Sequence, residues 1–171
     1  MSSTDRKKAL ILEAAFEWFS FYGYTKCCFR DVARKAGISR ASLYTYFKNK
    51  RDLFITMNHE INAEHFRKSM ALLASTQTDR EQVMGVIDEW TIKPYIDIQR
   101  TPQANSWLDE LVSISRETEK SYRDLFISCL EPIIGEERAE VIVYSIRGLM
   151  NDRPTTDILI KTIRMLVEAM V

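Results

Sequence analysis

Three cysteines in 171 residues are too few for a disulfide framework. Cys27 and Cys28 are adjacent and so poor disulfide partners, and an odd thiol remains, which predicts a reduced compartment with the thiols packed as small buried hydrophobes. Histidine is scarcer still. His59 and His65 are the only two, far in sequence from the cysteines, so no zinc-type spacing exists and neither metal nor other cofactor is expected. No apolar run approaches the roughly 20 residues that span a bilayer. The stretch from Met1 to Lys8 is polar and lacks a signal-peptide core, so a cytoplasmic protein without a membrane partner is predicted. Strand-like alternation, repeats and low-complexity linkers are also missing, which leaves an all-α fold. A nucleophile–base pair, a metal motif and a phosphate loop are absent too, and no enzyme is expected.

Net charge is zero, which taken alone argues against a nucleic-acid binder. The two parts of the chain disagree. Residues 1–56 hold 11 Lys and Arg against 5 Asp and Glu, whereas residues 57–171 hold 13 against 19. Positive potential is therefore concentrated in the first third, where it can attract phosphate. A hydrophobic content of 46% suffices for a globular core beneath both parts.

The first third has a specific layout. Ile11, Ala14, Ala15, Trp18, Phe19 and Tyr22 follow a helical period that Gly23 ends. Val32 and Ala33 mark the inner face of a short second helix. Gly37 stands where that helix needs a left-handed residue to stop, and Ile38 plugs the core below the turn. Ser39 is placed to cap a third helix. Leu43 and Phe47, four apart, form its inner stripe and leave Arg40, Ala41, Ser42, Tyr44, Thr45 and Tyr46 on its other faces. Asn49 reads as the N-cap of a fourth helix, with Asp52 in its first turn. Two short helices around a tight turn, the second exposed and basic-aromatic, are the layout of a helix-turn-helix.

The run Ala14-Ala15, Phe19, Gly23-Tyr24, Arg30-Asp31-Val32-Ala33, Ala36-Gly37-Ile38-Ser39, Leu43-Tyr44, Tyr46-Phe47 and Lys50 resembles the DNA-binding domain of TetR-family regulators. The resemblance covers about the first third of the chain. It implies that residues 1–50 are a DNA-binding head and residues 51–171 a helical regulatory and dimerisation body. It implies that Tyr44 and Lys50 hold the sugar-phosphate backbone and that Arg30 reaches a phosphate or a base. Arg40, Ala41, Ser42, Thr45 and Tyr46 would lie nearest base edges, with Ser39 and Lys48 at the margins. Cations and hydroxyls suit phosphates, and arginine suits guanine. Arg40 and Lys50 also read as solvated charges, and Tyr44 as packing. Cys27 and Cys28 depart from the family, which usually has threonine or serine there; a thiol is a poor cap.

The body reads as helices. One runs from Lys50 to about Ala74 on Leu53, Phe54, Met57, Ile61 and Phe66. Asp79 is placed to cap the next, and Pro94 kinks or ends it. Trp90, Tyr95, Trp107, Tyr122 and Phe126 are candidates to line a ligand pocket, with Glu89 and Asp97 available to a cationic ligand; core packing and solvated carboxylates are the competing readings. Residues from Glu136 to Met150 and from Thr156 to Val171 look apolar on most faces, as helices covered by a second copy would be. The resemblance implies a four-helix dimer interface there, with Val141, Tyr144, Gly148, Leu159, Ile163 and Leu166 as candidates; a single buried helix without a dimer is the alternative. The expected function is a ligand-responsive regulator, a repressor that binds a palindromic double-stranded operator as a homodimer under a small-molecule effector. Control by a protein partner, without a pocket, is the alternative, and a helical enzyme the remote one.

Overall fold

The computed structural model describes residues 3–74, 78–103, 109, 120 and 122–171, and these are helical with no strand among them. In chain order the helices are α1 (Ser3–Tyr22), α2 (Phe29–Lys35), α3 (Arg40–Tyr46), α4 (Lys50–Leu73), α5 (Asp79–Ile87), α6 (Lys93–Gln99), α7 (122–134), α8 (Glu136–Asn151) and α9 (Thr156–Met170). The chain divides into two compact units. The head unit contains Met1–Ile61 and Ile98–Thr118, and the body unit contains Asn62–Asp97 and Glu119–Val171. The head thus runs eleven residues beyond the boundary at residue 50 expected from sequence. The reason is packing: Leu53, Phe54 and Met57, in the first two turns of α4, are buried in the same core as Ile11, Ala15 and Phe19.

In the head, Phe19 meets Phe54 edge-on at 5.2 Å between ring centroids. Gly23, with φ of 79°, stops α1. α4 begins as its sequence predicts: the Asp52 N–H donates to Asn49 Oδ1 at 2.9 Å, and the Lys48 N–H donates to Asp52 Oδ2 at 2.8 Å.

In the body, α5 is capped differently from the expectation. Thr78, not Asp79, is the N-cap. Its hydroxyl accepts from the Glu81 N–H while the Glu81 carboxylate accepts from the Thr78 N–H, a reciprocal capping box. After Ile87 the helix widens for one turn, Asp88–Ile92, in which the Lys93 N–H reaches back five residues to the Asp88 carbonyl. Pro94 follows without breaking the rod. Proline has no N–H, so the Trp90 carbonyl four residues back loses its usual donor. The Tyr122 hydroxyl donates to that carbonyl at 2.7 Å. Burial raises the Tyr122 pKa, so the hydroxyl keeps the proton it donates.

Each of the two C-terminal helices buries one apolar face within the chain and leaves further apolar side chains exposed, Val141 and Tyr144 on α8 and Ile158 and Met165 on α9. α8 buries Ala139, Ile142, Val143 and Ile146, and α9 buries Leu159, Ile163 and Val167. Gly135, with φ of 81°, separates α7 from α8.

Candidate nucleic-acid interface

The turn between α2 and α3 is fixed by backbone geometry. Gly37 takes φ of 68°, a left-handed conformation costly for any residue with a Cβ. That lets the Ile38 N–H bond the Ala33 carbonyl at 3.0 Å and the Gly37 N–H bond the Arg34 carbonyl at 3.2 Å, which together close α2. Ser39 then starts α3, its Oγ accepting from the Ser42 N–H at 3.0 Å. Seven residues cannot hold a helix by backbone bonds alone. Leu43 and Phe47 supply the anchor, at 0% and 2% exposure.

This anchoring turns the opposite side of α3 outward. Arg40, Ala41, Tyr44 and Thr45 are exposed, as are Ser39, Lys48 and Arg30; Ser42 and Tyr46 are half-buried. The structure couples two of these residues. Arg40 Nη2 donates to the Tyr44 hydroxyl at 3.3 Å, and its guanidinium lies 5.6 Å from the Tyr44 ring centroid. Tyr44 rests on Phe29, ring to ring at 4.9 Å, yet remains 48% exposed. It therefore packs with one edge and presents its hydroxyl with the other. The Thr45 hydroxyl donates to the Ser42 carbonyl at 2.7 Å, and the residue is exposed. Lys50 is placed differently. It is half-buried, and Nζ donates to the Tyr24 and Cys27 carbonyls at 2.8 and 3.0 Å.

The cysteines differ from the expectation in one respect. Cys27 and Cys129 are buried, but Cys28 is exposed. Cys28 is the N-cap of α2, and its side chain caps no backbone N–H. Its thiol instead donates to Asp31 Oδ2 at 2.6 Å. That bond is the main reason the Asp31 carboxyl lies below its usual range, with the Cys28 N–H and the nearby arginines adding to it. Asp31 escaped the sequence reading as a cap partner, although its place three residues after the N-cap is that of a capping-box acid. Cys28→Ser is expected to add the missing cap and raise stability by about 1 kcal/mol. A higher urea midpoint at constant slope is the readout; an unchanged midpoint would show that the thiol–carboxylate bond already does the work.

The aromatic candidates of the body pack on one another. Trp90 stacks on Phe126 at 5.4 Å with planes 7° apart, and meets Tyr122 at 5.2 Å edge-on. The Trp90 indole N–H donates to Ser69 Oγ at 2.9 Å, and the Tyr95 hydroxyl donates to the Pro154 carbonyl at 2.6 Å. The core-packing reading describes these four residues here. Trp107 lies outside the described residues. Glu89 is bonded by Lys93 and lies 4.0 Å from Lys68, so its charge is already matched; Asp97 is exposed.

Of the dimer candidates, Leu159 and Ile163 are fully buried within the chain's own body and are unavailable to a partner, a correction that follows from α9 having one inner face. Leu166 is half-buried. Val141, Tyr144 and Gly148 share an exposed face of α8, and α9 exposes Ile158 and Met165.

Residues 11–57 match the profile of the family described as bacterial regulatory proteins, tetR family. The head of the chain is thus similar to the DNA-binding domain of the TetR family. The chain is 48% identical over 52 residues to the uncharacterized HTH-type transcriptional regulator YhgD of Bacillus subtilis, covering 30% of this chain and 27% of that protein. It is 28% identical over 79 residues to the fatty acid metabolism regulator protein of the same organism, covering 46% of this chain and 41% of that protein. These matches thus span less than half of either relative. A TetR transcriptional regulator from Legionella pneumophila superposes with a TM-score of 0.73 at 15% identity, covering 100% of this chain and 98% of that one, a likeness of fold. Among the described residues no helix is long and apolar enough to cross a membrane, and no group of His, Cys, Asp or Glu could hold a metal ion.

Proposed function

We propose that this chain is a transcription regulator of the TetR family, a repressor that binds an operator of two inverted half-sites as a homodimer. One observation carries the reading: α3 is anchored by Leu43 and Phe47 and turns Arg40, Ala41, Tyr44 and Thr45 to solvent. In this reading Arg40 addresses a base edge. Tyr44, Arg30 and Lys48 take the backbone, and Ser39, Ala41, Ser42, Thr45 and Tyr46 shape the fit to the groove. Two heads related by a two-fold axis enter major grooves about 34–36 Å apart.

The dimer reading is supported by the outward face of α8, where Val141, Tyr144 and Gly148 recur at three- and four-residue spacing, together with Ile158 and Met165 on α9. Effector control is supported by the body beside Trp90. His65, 5.8 Å from the Trp90 ring, has a buried Nδ1 without a hydrogen-bond partner, and burial lowers its pKa, so the ring is neutral near pH 7. That nitrogen is available to a hydrogen-bond donor on a small molecule. The ring-on-ring packing of Trp90, Phe126 and Tyr122 favours, as a second reading, control by a protein partner.

Selection from a pool of random duplexes tests the function. Enrichment of an inverted repeat, bound with a steep salt dependence, is the expected result. Arg40→Ala should then cost about 1–3 kcal/mol and relax the choice at one base pair per half-site. No enrichment over the starting pool would overturn the reading.

A further inference from the structure

We propose that Tyr44, besides its place on the DNA backbone, sets the base preference of α3 by holding Arg40, an inference that rests on the reading of α3 as the DNA-reading helix. Arg40 and Tyr44 lie four residues apart and so share one face of α3. Arg40 Nη2 donates to the Tyr44 hydroxyl at 3.3 Å, and the guanidinium lies 5.6 Å from the centroid of the Tyr44 ring. One side chain thus gives Arg40 both an acceptor and an aromatic face, two partners that suit a guanidinium. Tyr44 is itself held. Its ring rests on Phe29 at 4.9 Å, and Phe29 is 8% exposed and belongs to the head core. Support therefore runs from the core through Phe29 and Tyr44 to Arg40.

Arginine has a long, flexible stem, and fixing it on a base costs conformational entropy. A guanidinium that already rests on Tyr44 has given up part of that freedom before DNA arrives. The contact does not compete with base reading. A guanidinium carries five N–H donors; the Tyr44 hydroxyl takes one, and a bidentate contact to guanine takes two. Nor does it compete with the backbone contact. The Tyr44 oxygen accepts from Arg40, and its own hydrogen stays free to be donated to a phosphate oxygen. One hydroxyl then joins a base contact to a backbone contact. Both residues are exposed in the free protein, where water weakens the pair. In a groove, with less water around it, the same bond strengthens.

The test uses the full chain with Tyr44→Phe, which keeps the ring and its packing on Phe29 and removes only the oxygen, with Arg40→Ala, and with the two combined. Binding is compared on two duplexes: the one returned by selection, and one changed at the base pair whose choice Arg40→Ala relaxes. Affinity lost equally on both duplexes reports the backbone contact and cancels in their ratio. Tyr44→Phe should lower that ratio by about three- to tenfold, the worth of one hydrogen bond to a charged group. In the Arg40→Ala background the same substitution should leave the ratio where it is, because the residue it acts through is gone. A ratio unchanged by Tyr44→Phe, or lowered as much without Arg40 as with it, overturns the proposal. The free protein gives a second readout, the NMR relaxation of the Arg40 Nε–H. That group should be ordered in the parent and more mobile in Tyr44→Phe; equal mobility in both overturns the hold on Arg40. A parent that selects no duplex defeats the DNA-binding reading itself and this proposal with it, whereas a parent that selects a duplex and keeps its ratio in Tyr44→Phe defeats the proposal alone.

Discussion

Leu43→Ala is expected to destabilise the head by about 2–5 kcal/mol, the range for removing a fully buried leucine. Leu43 is 0% exposed and is the buried residue of α3, with Phe47 just past the helix end. Removing it leaves a cavity beneath a helix of seven residues, too short to be held by its backbone bonds alone and left with only Phe47 as an apolar anchor. Such a loss is a large share of the about 5–15 kcal/mol that separates folded from unfolded domains. The contrast with Arg40→Ala makes the prediction specific. Arg40 is exposed on the opposite face of the same helix, and truncating it should change stability by no more than about 0.5 kcal/mol. Leu43→Ala should therefore lower the urea midpoint and abolish duplex binding near the parent's unfolding temperature, whereas Arg40→Ala should leave the midpoint in place and weaken binding alone. Equal midpoints for Leu43→Ala and the parent would mean that α3 does not depend on its inner face, and the basis for assigning its outer face would go with it.

The head was legible in the sequence because each signal there is local. Gly37 adopts the left-handed turn, Ser39 caps α3, Asn49 caps α4, and Leu43 and Phe47 point inward, all as spacing alone implies. What escaped was any contact made at long range. Nothing in the sequence shows that Lys50 turns back more than twenty residues to Tyr24 and Cys27, because a lysine in a first helical turn reads as a solvated charge. The head–body boundary was displaced for the same reason: the period of α4 marks Leu53, Phe54 and Met57 as inward but does not say into which unit. In the body, Thr78 and Asp79 are both good caps by residue type, and only the position of Glu81 decides for Thr78. The aromatic residues were ambiguous for a physical reason, since the same rings that line a ligand cavity also fill a core, and Trp90, Phe126 and Tyr122 fill it. Apolar content could not say which residues of α9 the chain itself covers: Leu159 and Ile163 are enclosed, whereas Ile158 and Met165 are exposed.

Gly148→Leu is expected to convert a dimer into single subunits while leaving each subunit folded. A glycine inside a helix costs roughly 0.5–1 kcal/mol relative to alanine, so it calls for a reason. The protomer offers none. Among the described residues, a Cβ at Gly148 would meet nothing within 4 Å, and the backbone there is not left-handed. In the proposed homodimer, a close approach by the partner's α8 would supply the reason. Gly148 lies on the exposed face of α8 that also presents Tyr144 and Val141, 49% and 47% exposed, where a facing helix could approach closely only over a residue without a side chain. Leucine is a good helix former, so the substitution should leave the unfolding midpoint of the isolated subunit unchanged or raise it by up to about 1 kcal/mol. The same side chain between two α8 helices would force them apart. Sedimentation equilibrium should then find subunits at concentrations where the parent is paired. Affinity for a two-half-site duplex should fall by about 10² to 10⁴, the advantage that linking two binding modules confers, with half-site binding preserved. A variant that gains stability and remains paired would place the contact between subunits elsewhere, and the glycine would need another explanation than a partner helix.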